Sequence, residues 1–243
     1  MQRTLTEVLQ EKKSVESAGI TFISGSNNEC FLSYKELYHA ALRVLGFFQR
    51  SGIKPKDELV FQIEDNQTFL IVFWACILGK IIPVPLSIGQ NDNHKQKLFN
   101  VWPLLNHPFL IISKTHLQFL IEYSKSKECP EFFLEIESRI IDVSGILSFT
   151  SEGTIFPSEE NDIAFVQFSS GSTGNSKGVI LTHRNLLTNI AAISEAAGYV
   201  MTDSMISWMP LTHDMGLIGF HLNPLLVGMQ QYLIPTNVFI RNP

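Results

Sequence analysis

Apolar side chains recur every three or four residues between Leu32 and Gly52, in the stretch LSYKELYHAALRVLGFFQRSG. This spacing predicts an amphipathic helix with one face turned towards a core. Ser33 and Glu36 have the spacing of a capping box, and Gly52 suits the position just after a helix end. The apolar face consists of Leu37, Ala41, Val44, Leu45 and Phe48.

A strand, a helix and a second strand follow in that order. Residues 57–64, DELVFQIE, alternate between polar and apolar side chains with the period of a strand. Asp65 and Asn66 can cap a helix over residues 67–79, and the next stretch, IIPVPL, is typical of a buried strand. Strand, crossover helix and strand form a βαβ unit, so we predict an α/β fold with parallel sheets covered by helices.

Later segments continue this alternation. We predict strands at 108–113 and 139–145, a helix at 115–124, and a surface connection at 148–160 that marks a subdomain boundary. Beyond it come the strand DIAFVQFSS, a hydroxyl-rich loop, the segment GVILTH, a helix over 184–198 and two strands, SMISWMP and QQYLIP. The sequence stops at VFIRNP, after a buried-looking strand and without a closing helix, so we expect a piece of a longer fold.

The overall composition indicates a globular protein without a general attraction for polyanions. The 243 residues are 45% hydrophobic and 17% charged, with a formal net charge of −5. A negative net charge supplies no global field that attracts nucleic acid or an anionic membrane surface, so we predict neither as a partner. Any anion must therefore be bound by local geometry.

Cysteine usage and hydropathy predict a cytoplasmic protein. Cys30, Cys76 and Cys129 are widely spaced and lack the spacing of a disulfide framework or a zinc site, which favours a reducing compartment. The first residues lack the basic-then-apolar order of a signal peptide. Lys80 and two prolines interrupt the longest apolar run, residues 69–86, so we predict a buried helix and strand there and no membrane span.

The hydroxyl-rich loop lies within FVQFSSGSTGNSKGVILTH, from Phe165 to His183. Its glycines allow backbone N–H groups to turn inward and approach a ligand closely. Hydroxyl groups and one lysine, Lys177, add further donors, which suit a multiply charged oxyanion such as a di- or triphosphate. The glycines are Gly171, Gly174 and Gly178, and the hydroxyl side chains are those of Ser169, Ser170, Ser172, Thr173 and Ser176.

Two other interpretations of this loop stay open. A P-loop has the pattern GxxxxGK[ST] and feeds a helix, whereas here Ser176 precedes Lys177, Gly178 follows it, and a strand comes next. A plain hairpin turn also uses Ser, Gly, Asn and Lys. An ordinary hairpin needs only about two to five such residues, roughly half of what this loop contains.

The stretch FVQFSSGSTGNSKGVILTHRNL resembles the phosphate-loop signature of the adenylate-forming superfamily, which contains acyl-CoA synthetases, nonribosomal peptide adenylation domains and luciferases. Residues 32–86 are similar to the N-terminal region of that superfamily, with Lys56 where glycine is more usual. Downstream, SWMPLTHDMGLIGFHLNPLLVG resembles the fatty acyl-AMP ligase branch and the related loading domains of lipopeptide and polyketide synthases. The pattern PLxHDMGLxG is characteristic of that branch.

The resemblance implies a two-step ligase. A fatty acid and ATP, with Mg²⁺, give an acyl-AMP and pyrophosphate, and the acyl group then passes to the phosphopantetheine thiol of an acyl carrier protein. Residues 1–150 would form the first α/β subdomain of the N-terminal domain. Residues 151–243 would hold the phosphate loop and the start of the acyl-pocket subdomain, with the C-terminal domain absent.

The resemblance also assigns site residues. His213 and Lys177 would be catalytic, His213 by orienting the reacting carboxylate, and Asp214, Met215 and Gly216 would shape the substrate region. Adjacent His213 and Asp214 do not suit a Ser-His-Asp relay, and no zinc-site spacing joins His213 to His221, so we assign no metal ligand. The alternative role for His213 is a capping or core histidine. The residues implied for the nucleotide are Ser169, Ser170, Gly171, Ser172, Thr173, Gly174, Lys177 and Gly178.

Later motifs of the superfamily, for adenine, ribose and the lysine-bearing C-terminal domain, would lie beyond residue 243. We therefore expect this chain to be unable to complete adenylation alone. Three hypotheses remain: a fatty acyl-AMP ligase, an acyl-CoA or amino-acid ligase, and a nucleotide-binding lobe without catalysis. Taken alone, Trp74 and Met215 are expected in the core, and His183 begins a helix without an assigned role.

Overall fold

Helices and strands alternate along the part of the chain that the computed structural model describes, residues 3–25, 28–88, 92–126, 131–170 and 176–241. The helices are α1 (Leu5–Glu11), α2 (Tyr34–Arg50), α3 (Asn66–Leu78), α4 (Asp92–Val101), α5 (Lys114–Ser126), α6 (Glu131–Ile136), α7 (His183–Ala197), α8 (Asn223–Val227) and α9 (Thr236–Arg241). The strands are β1 (Gly19–Ile23), β2 (Glu29–Ser33), β3 (Glu58–Gln62), β4 (Ile82–Pro85), β5 (Phe109–Ile112), β6 (Ile140–Asp142), β7 (Ile163–Ser170), β8 (Ser176–Thr182), β9 (Ser204–Ser207) and β10 (Gln230–Leu233). A π-helix, Met215–Leu222, runs directly into α8.

The described strands form three sheets, and most of their pairings are parallel. One sheet has the order β4-β3-β5-β6, in which every neighbouring pair is parallel. A second has the order β2-β1-β10-β9, with an antiparallel edge strand β2. The third is the antiparallel pair β7-β8. The predicted α/β class with helix-covered parallel sheets is confirmed.

Helix α2 begins where the capping pattern places it. The Ser33 hydroxyl accepts a hydrogen bond from the Glu36 N–H at 3.1 Å, and the Glu36 carboxylate accepts one from the Ser33 N–H at 2.8 Å. Reciprocal bonds of this kind satisfy two N–H groups that a helix start otherwise leaves unpaired. The predicted apolar face is buried throughout, at Leu37, Ala41, Val44, Leu45 and Phe48.

Helix α3 lies inside the core. Asp65 caps it by accepting a hydrogen bond from the Thr68 N–H at 2.7 Å, and every residue from Thr68 to Leu78 is buried. A helix that is apolar on all sides must be covered on all sides. The predicted buried helix and strand at 69–86 are therefore confirmed. Within the described ranges, no helix combines the length and the apolar character that crossing a membrane requires.

Three details differ from the predictions. Residues 236–241 form the short helix α9, although a chain end without a closing helix was expected. Strand β9 ends at Ser207, before Trp208, because the chain turns at Pro210 instead of extending the ladder. Of the predicted strand 139–145, only Ile140–Asp142 is extended, and a 3₁₀-helix follows.

Residues 148–160 form an irregular connection, as predicted, but side chains and backbone tie it to the core. The Gly153 N–H donates to the Leu42 carbonyl at 2.8 Å, and the Gln49 amide both donates to and accepts from the Thr154 backbone, at 2.7 and 3.0 Å. Strands from both sides of this connection pair with each other, β1 with β10. The division at residue 150 remains a prediction.

Candidate functional site

The predicted phosphate loop joins two paired antiparallel strands. Phe168 lies opposite Gly178, Ser169 opposite Lys177 and Ser170 opposite Ser176. The chain continues from the loop into a strand, so the helix that a P-loop requires does not follow. Gly171, Ser172, Thr173 and Gly174, which the sequence assigned to the nucleotide, lie outside the described residues.

The four remaining nucleotide-site residues lie where the two strands meet the loop. Ser169 and Ser170 end β7, and Lys177 and Gly178 follow the start of β8, where both are exposed. A Cβ atom at Gly178 would lie 2.9 Å from the ring of Phe168, which is buried. Glycine therefore allows β8 to pass directly over this ring. The roles of these four residues towards a nucleotide remain predictions.

A side-chain hydrogen bond connects β7 to the segment that carries His213. Gln167, three residues before the end of β7, donates from Nε2 to the Thr212 carbonyl oxygen at 3.2 Å. The bond brings the strand leading into the loop next to the residue that precedes His213. Two parts of the predicted site that are 45 residues apart in sequence are thereby neighbours in space.

The backbone around His213 is tightly turned. Its N–H donates to the Pro210 carbonyl at 3.0 Å, and its own carbonyl accepts from the Leu217 N–H at 2.9 Å. A Cβ atom at Gly216 would clash with the Pro210 carbonyl oxygen, so only glycine fits at this close approach. Gly216 thus shapes the turn through its backbone.

The side chains of His213 and Asp214 point into solvent. They are 61% and 66% exposed, and the His213 Nδ1 lies 2.6 Å from the Asp214 carboxylate oxygen. The same carboxylate accepts from the Met215 N–H at 2.7 Å. The exposure of His213 contradicts the alternative of a core histidine. Met215 is 52% exposed, so its expected place in the core was also wrong.

A cleft of about 900 Å³ opens beside this segment, and Pro210, Leu211 and Thr212 form one of its walls. The other walls follow the carboxyl ends of β1, β3, β4 and β10, where ligands bind in open parallel sheets. The lining is mixed in polarity; among the described residues it contains the carboxylates of Glu64 and Asp65 and no basic side chain. Its apolar members include Phe22, Ile63, Phe69, Leu211 and Leu233.

A buried chain of hydrogen bonds lies behind the cleft wall, and sequence reasoning missed it. Trp74 Nε1 donates to His221 Nε2 at 2.8 Å, and His221 Nδ1 lies 2.9 Å from Gln231 Oε1. Gln231 Nε2 donates to the Tyr34 hydroxyl at 2.8 Å, and Tyr34 donates to the Met229 carbonyl at 2.5 Å. Trp74 is in the core as expected. The available signal was a histidine inside the apolar run GLIGFHLNPLL.

Burial determines the protonation states of the hydrogen-bonded groups His221 and Tyr34. It lowers the pKa of His221 to about 4, against a smaller opposing effect of the hydrogen bond to Gln231. It also raises the pKa of the Tyr34 hydroxyl. At neutral pH both groups are therefore uncharged, as fully buried groups without an ionic partner must be.

His183 is a second buried histidine, at the first position of α7. Its Nδ1 accepts a hydrogen bond from the Leu5 N–H at 3.2 Å, which ties α7 to α1. Burial lowers its pKa to about 4, and the charge of Asp162 opposes this. The role that the sequence left unassigned is thus structural.

Metal ligands are not grouped in the described ranges. No cluster of three or more His, Cys, Asp or Glu side chains there has a geometry that could hold an ion. Where Mg²⁺ accompanies a nucleotide, substrate phosphates and water supply most of its ligands.

Comparison with known proteins extends over nearly the whole chain. A family model described as "AMP-binding enzyme" matches residues 11–243. The medium-chain fatty acid–[acyl-carrier-protein] ligase TtuA from Teredinibacter turnerae is 42% identical over an alignment that covers 87% of this chain and 38% of TtuA.

Two solved structures have the same fold. McyG A-PCP complexed with phenylalanyl-adenylate superposes with a TM-score of 0.89 at 32% identity, over 100% of this chain and 38% of that one. The fatty acyl-adenylate ligase from L. pneumophila, in complex with acyl adenylate and pyrophosphate, gives 0.80 at 27% identity, over 99% and 41%. The chain therefore spans only about two fifths of the length of each of these relatives.

Proposed function

Because the chain belongs to the AMP-binding enzyme family, within the adenylate-forming superfamily, we propose that it takes part in the ATP-dependent activation of a fatty acid as an acyl-AMP. The hydrogen bond from Gln167 to the Thr212 carbonyl carries this proposal. It brings the strand that leads into the hydroxyl-rich loop beside the exposed His213. A phosphate-binding element and a substrate-orienting element then face one reaction centre.

In the proposed first step, a carboxylate oxygen of the fatty acid forms a bond to the α-phosphorus while the bond to the pyrophosphate oxygen breaks. Two anions must meet, so alignment and charge neutralisation carry most of the catalysis. The loop residues 169–178 and the exposed Lys177 would hold the β- and γ-phosphates. Mg²⁺, bound through those phosphates, would supply further neutralisation.

His213 would orient the fatty acid carboxylate at the mouth of the cleft. Its side chain is exposed and its backbone is fixed by bonds to Pro210 and Leu217, so it can meet a ligand without rearrangement. The apolar part of the cleft would take the acyl chain. Its volume of about 900 Å³ lies at the upper end of the range usual for small-molecule sites.

The acceptor in the second step would be the phosphopantetheine thiol of an acyl carrier protein. Its sulfur would attack the acyl carbonyl carbon and release AMP. The relative TtuA is named a ligase of a medium-chain fatty acid and an acyl carrier protein, which supports this choice over coenzyme A. We propose that the 243 residues alone do not complete either step, and the cytoplasmic location also remains a proposal.

Amino-acid activation is the second candidate. The McyG structure contains phenylalanyl-adenylate, and the cleft of this chain presents the carboxylates of Glu64 and Asp65, which could pair with a substrate ammonium. Asp65 is already occupied in capping α3. Glu64 is exposed, so it would be the carboxylate that pairs with the ammonium group of an amino-acid substrate.

A chimera tests the proposal. Residues 1–243 of this chain, joined to the remaining C-terminal part of TtuA, should support ATP–pyrophosphate exchange that depends on decanoic acid. The 243-residue chain alone should bind magnesium pyrophosphate without exchange. Exchange that depends on phenylalanine would favour the second candidate. A chimera that folds and binds pyrophosphate but shows no exchange with either acid would indicate a nucleotide-binding lobe without catalysis.

A further inference from the structure

The helix that follows His213 and Asp214 has an unusual geometry. Residues Met215–Leu222 form a π-helix, which is rare and is frequently found at functional sites. Pro224 follows in α8; it has no N–H to donate to the carbonyl four residues earlier, and its ring would clash with that carbonyl in a regular α-helix. The wider π turn avoids this clash. The proline favours the π geometry but does not set which way the helix faces.

His221 fixes the rotation of the π-helix about its axis. Its two ring nitrogens contact Trp74 on α3 and Gln231 on β10. Gln231 returns a hydrogen bond to the His221 carbonyl at 3.3 Å. A change of one residue in helix register would turn His221 away from both partners and break all three bonds.

Only one protonation state satisfies this chain of groups. The Trp74 N–H donates to Nε2, so Nε2 carries no proton and Nδ1 must donate to Gln231. Each remaining donor in the chain then has an acceptor, ending at the Met229 carbonyl. A buried network in which every member is satisfied specifies one arrangement.

We propose that His221 is a positioning residue for the segment His213–Gly216. It holds the π-helix at one rotation about its axis and so fixes the backbone that carries His213, next to the cleft wall formed by Pro210, Leu211 and Thr212. Because His213 is itself exposed, no neighbouring side chain beyond Asp214 orients it among the described residues. The orientation of the His213 side chain must therefore come from the backbone that carries it. This inference rests on the proposed function in one respect, that the ligand of His213 is the fatty acid carboxylate.

The test compares His221→Phe with Ile111→Ala in the 243-residue chain. Phenylalanine retains the ring but removes both of its hydrogen bonds. Ile111 is fully buried in the β4-β3-β5-β6 sheet and its side chain takes no part in the hydrogen bonds above, so its variant serves as the control for a loss of stability. His221→Gln, which can accept from Trp74, should recover part of the wild-type behaviour.

The first readout is the surroundings of the His213 ring, followed by NMR through its imidazole chemical shifts and its NOE contacts to Asp214 and Met215. We expect His221→Phe to change both, because the backbone that carries these residues is no longer held at one rotation. Ile111→Ala should leave both unchanged. Unchanged shifts and contacts in a folded His221→Phe variant would overturn the proposal.

The second readout separates orientation of the substrate from binding of phosphate. It is made in the chimera with the C-terminal part of TtuA, where we expect His221→Phe to weaken binding of the decanoyl sulfamate ester of adenosine at least tenfold, with the affinity for magnesium pyrophosphate unchanged. Equal weakening of both probes would indicate a general loss of structure and would contradict the proposal. If the wild-type chimera binds neither probe, the proposed function fails, and the NMR comparison of His213 alone decides the role of His221.

Discussion

Mild acid should destabilise this protein through two buried histidines. His183 and His221 each have a pKa of about 4 in the folded chain, against 6.5 when unperturbed. The folded pKa is depressed, so the unfolded chain binds more protons between these values. The stabilisation is complete above pH 6.5 and is lost as the pH falls towards 4.

The size of the effect follows from linkage. Each histidine contributes a slope of about 1.4 kcal/mol per pH unit, which amounts to about 2 kcal/mol between pH 6.5 and pH 5. Both together remove about 4 kcal/mol, a large part of the roughly 5–15 kcal/mol by which domains are stable. Paired carboxylates such as Asp162 also have lowered pKa values. They titrate below pH 5 and do not interfere in this window.

Urea unfolding at pH 7.5 and pH 5.0 measures this loss. His183→Asn retains an acceptor for the Leu5 N–H and should halve the pH dependence; His221→Gln should remove the other half, and the double variant should be nearly independent of pH. An unchanged pH dependence in the double variant would show that other groups cause the acid sensitivity. A wild-type loss below about 1 kcal/mol would refute the burial argument itself.

Three further predictions follow from single contacts. Gly216→Ala places a methyl group against the Pro210 carbonyl and should cost about 1–3 kcal/mol in urea unfolding; wild-type stability would mean that the turn can open. Tyr34→Phe leaves a Gln231 N–H without its acceptor and should cost about 1–3 kcal/mol, while a neutral result would place water at that position. Lys177→Ala should weaken magnesium pyrophosphate binding about tenfold in calorimetry, as expected for losing one charge-assisted contact. Lys177→Arg should have an intermediate affinity. Equal affinity in the wild type and both variants would show that Lys177 does not contact the pyrophosphate.

Local patterns in the sequence were sufficient for the elements whose causes are local. The capping box at Ser33 and the apolar stripe of α2 both lie within one helix, and both were found. The continuous apolar run gave α3 and β4 for the same reason. Helix α1 is an exception: it was not predicted, although Thr4 and Glu7 form a capping box at its start. The pairing of β1 with β10 was not predicted because it joins Ile20 to Gln231, and nothing near either residue indicates its partner.

The candidate site divides in the same way. The hydroxyl-rich loop is continuous in sequence, so its chemistry could be inferred from composition. A histidine inside an apolar run marks His221 as unusual, but it does not indicate the partner, because Trp74 is 147 residues away. The neighbouring positions of Gln167 and Thr212 likewise follow only from the fold.

The contrast between His213 and His221 follows from what each position requires. A side chain that must meet a ligand has to be exposed, and exposure removes the neighbours that would otherwise hold its direction. The direction then has to come from the backbone, and a backbone is fixed most firmly by buried groups with few alternatives. The eight-residue π-helix connects the two positions: the exposed His213 lies before its first turn, and the buried His221 lies in its last turn. A substitution that frees the buried end should therefore act on the exposed end, even where the two side chains never touch.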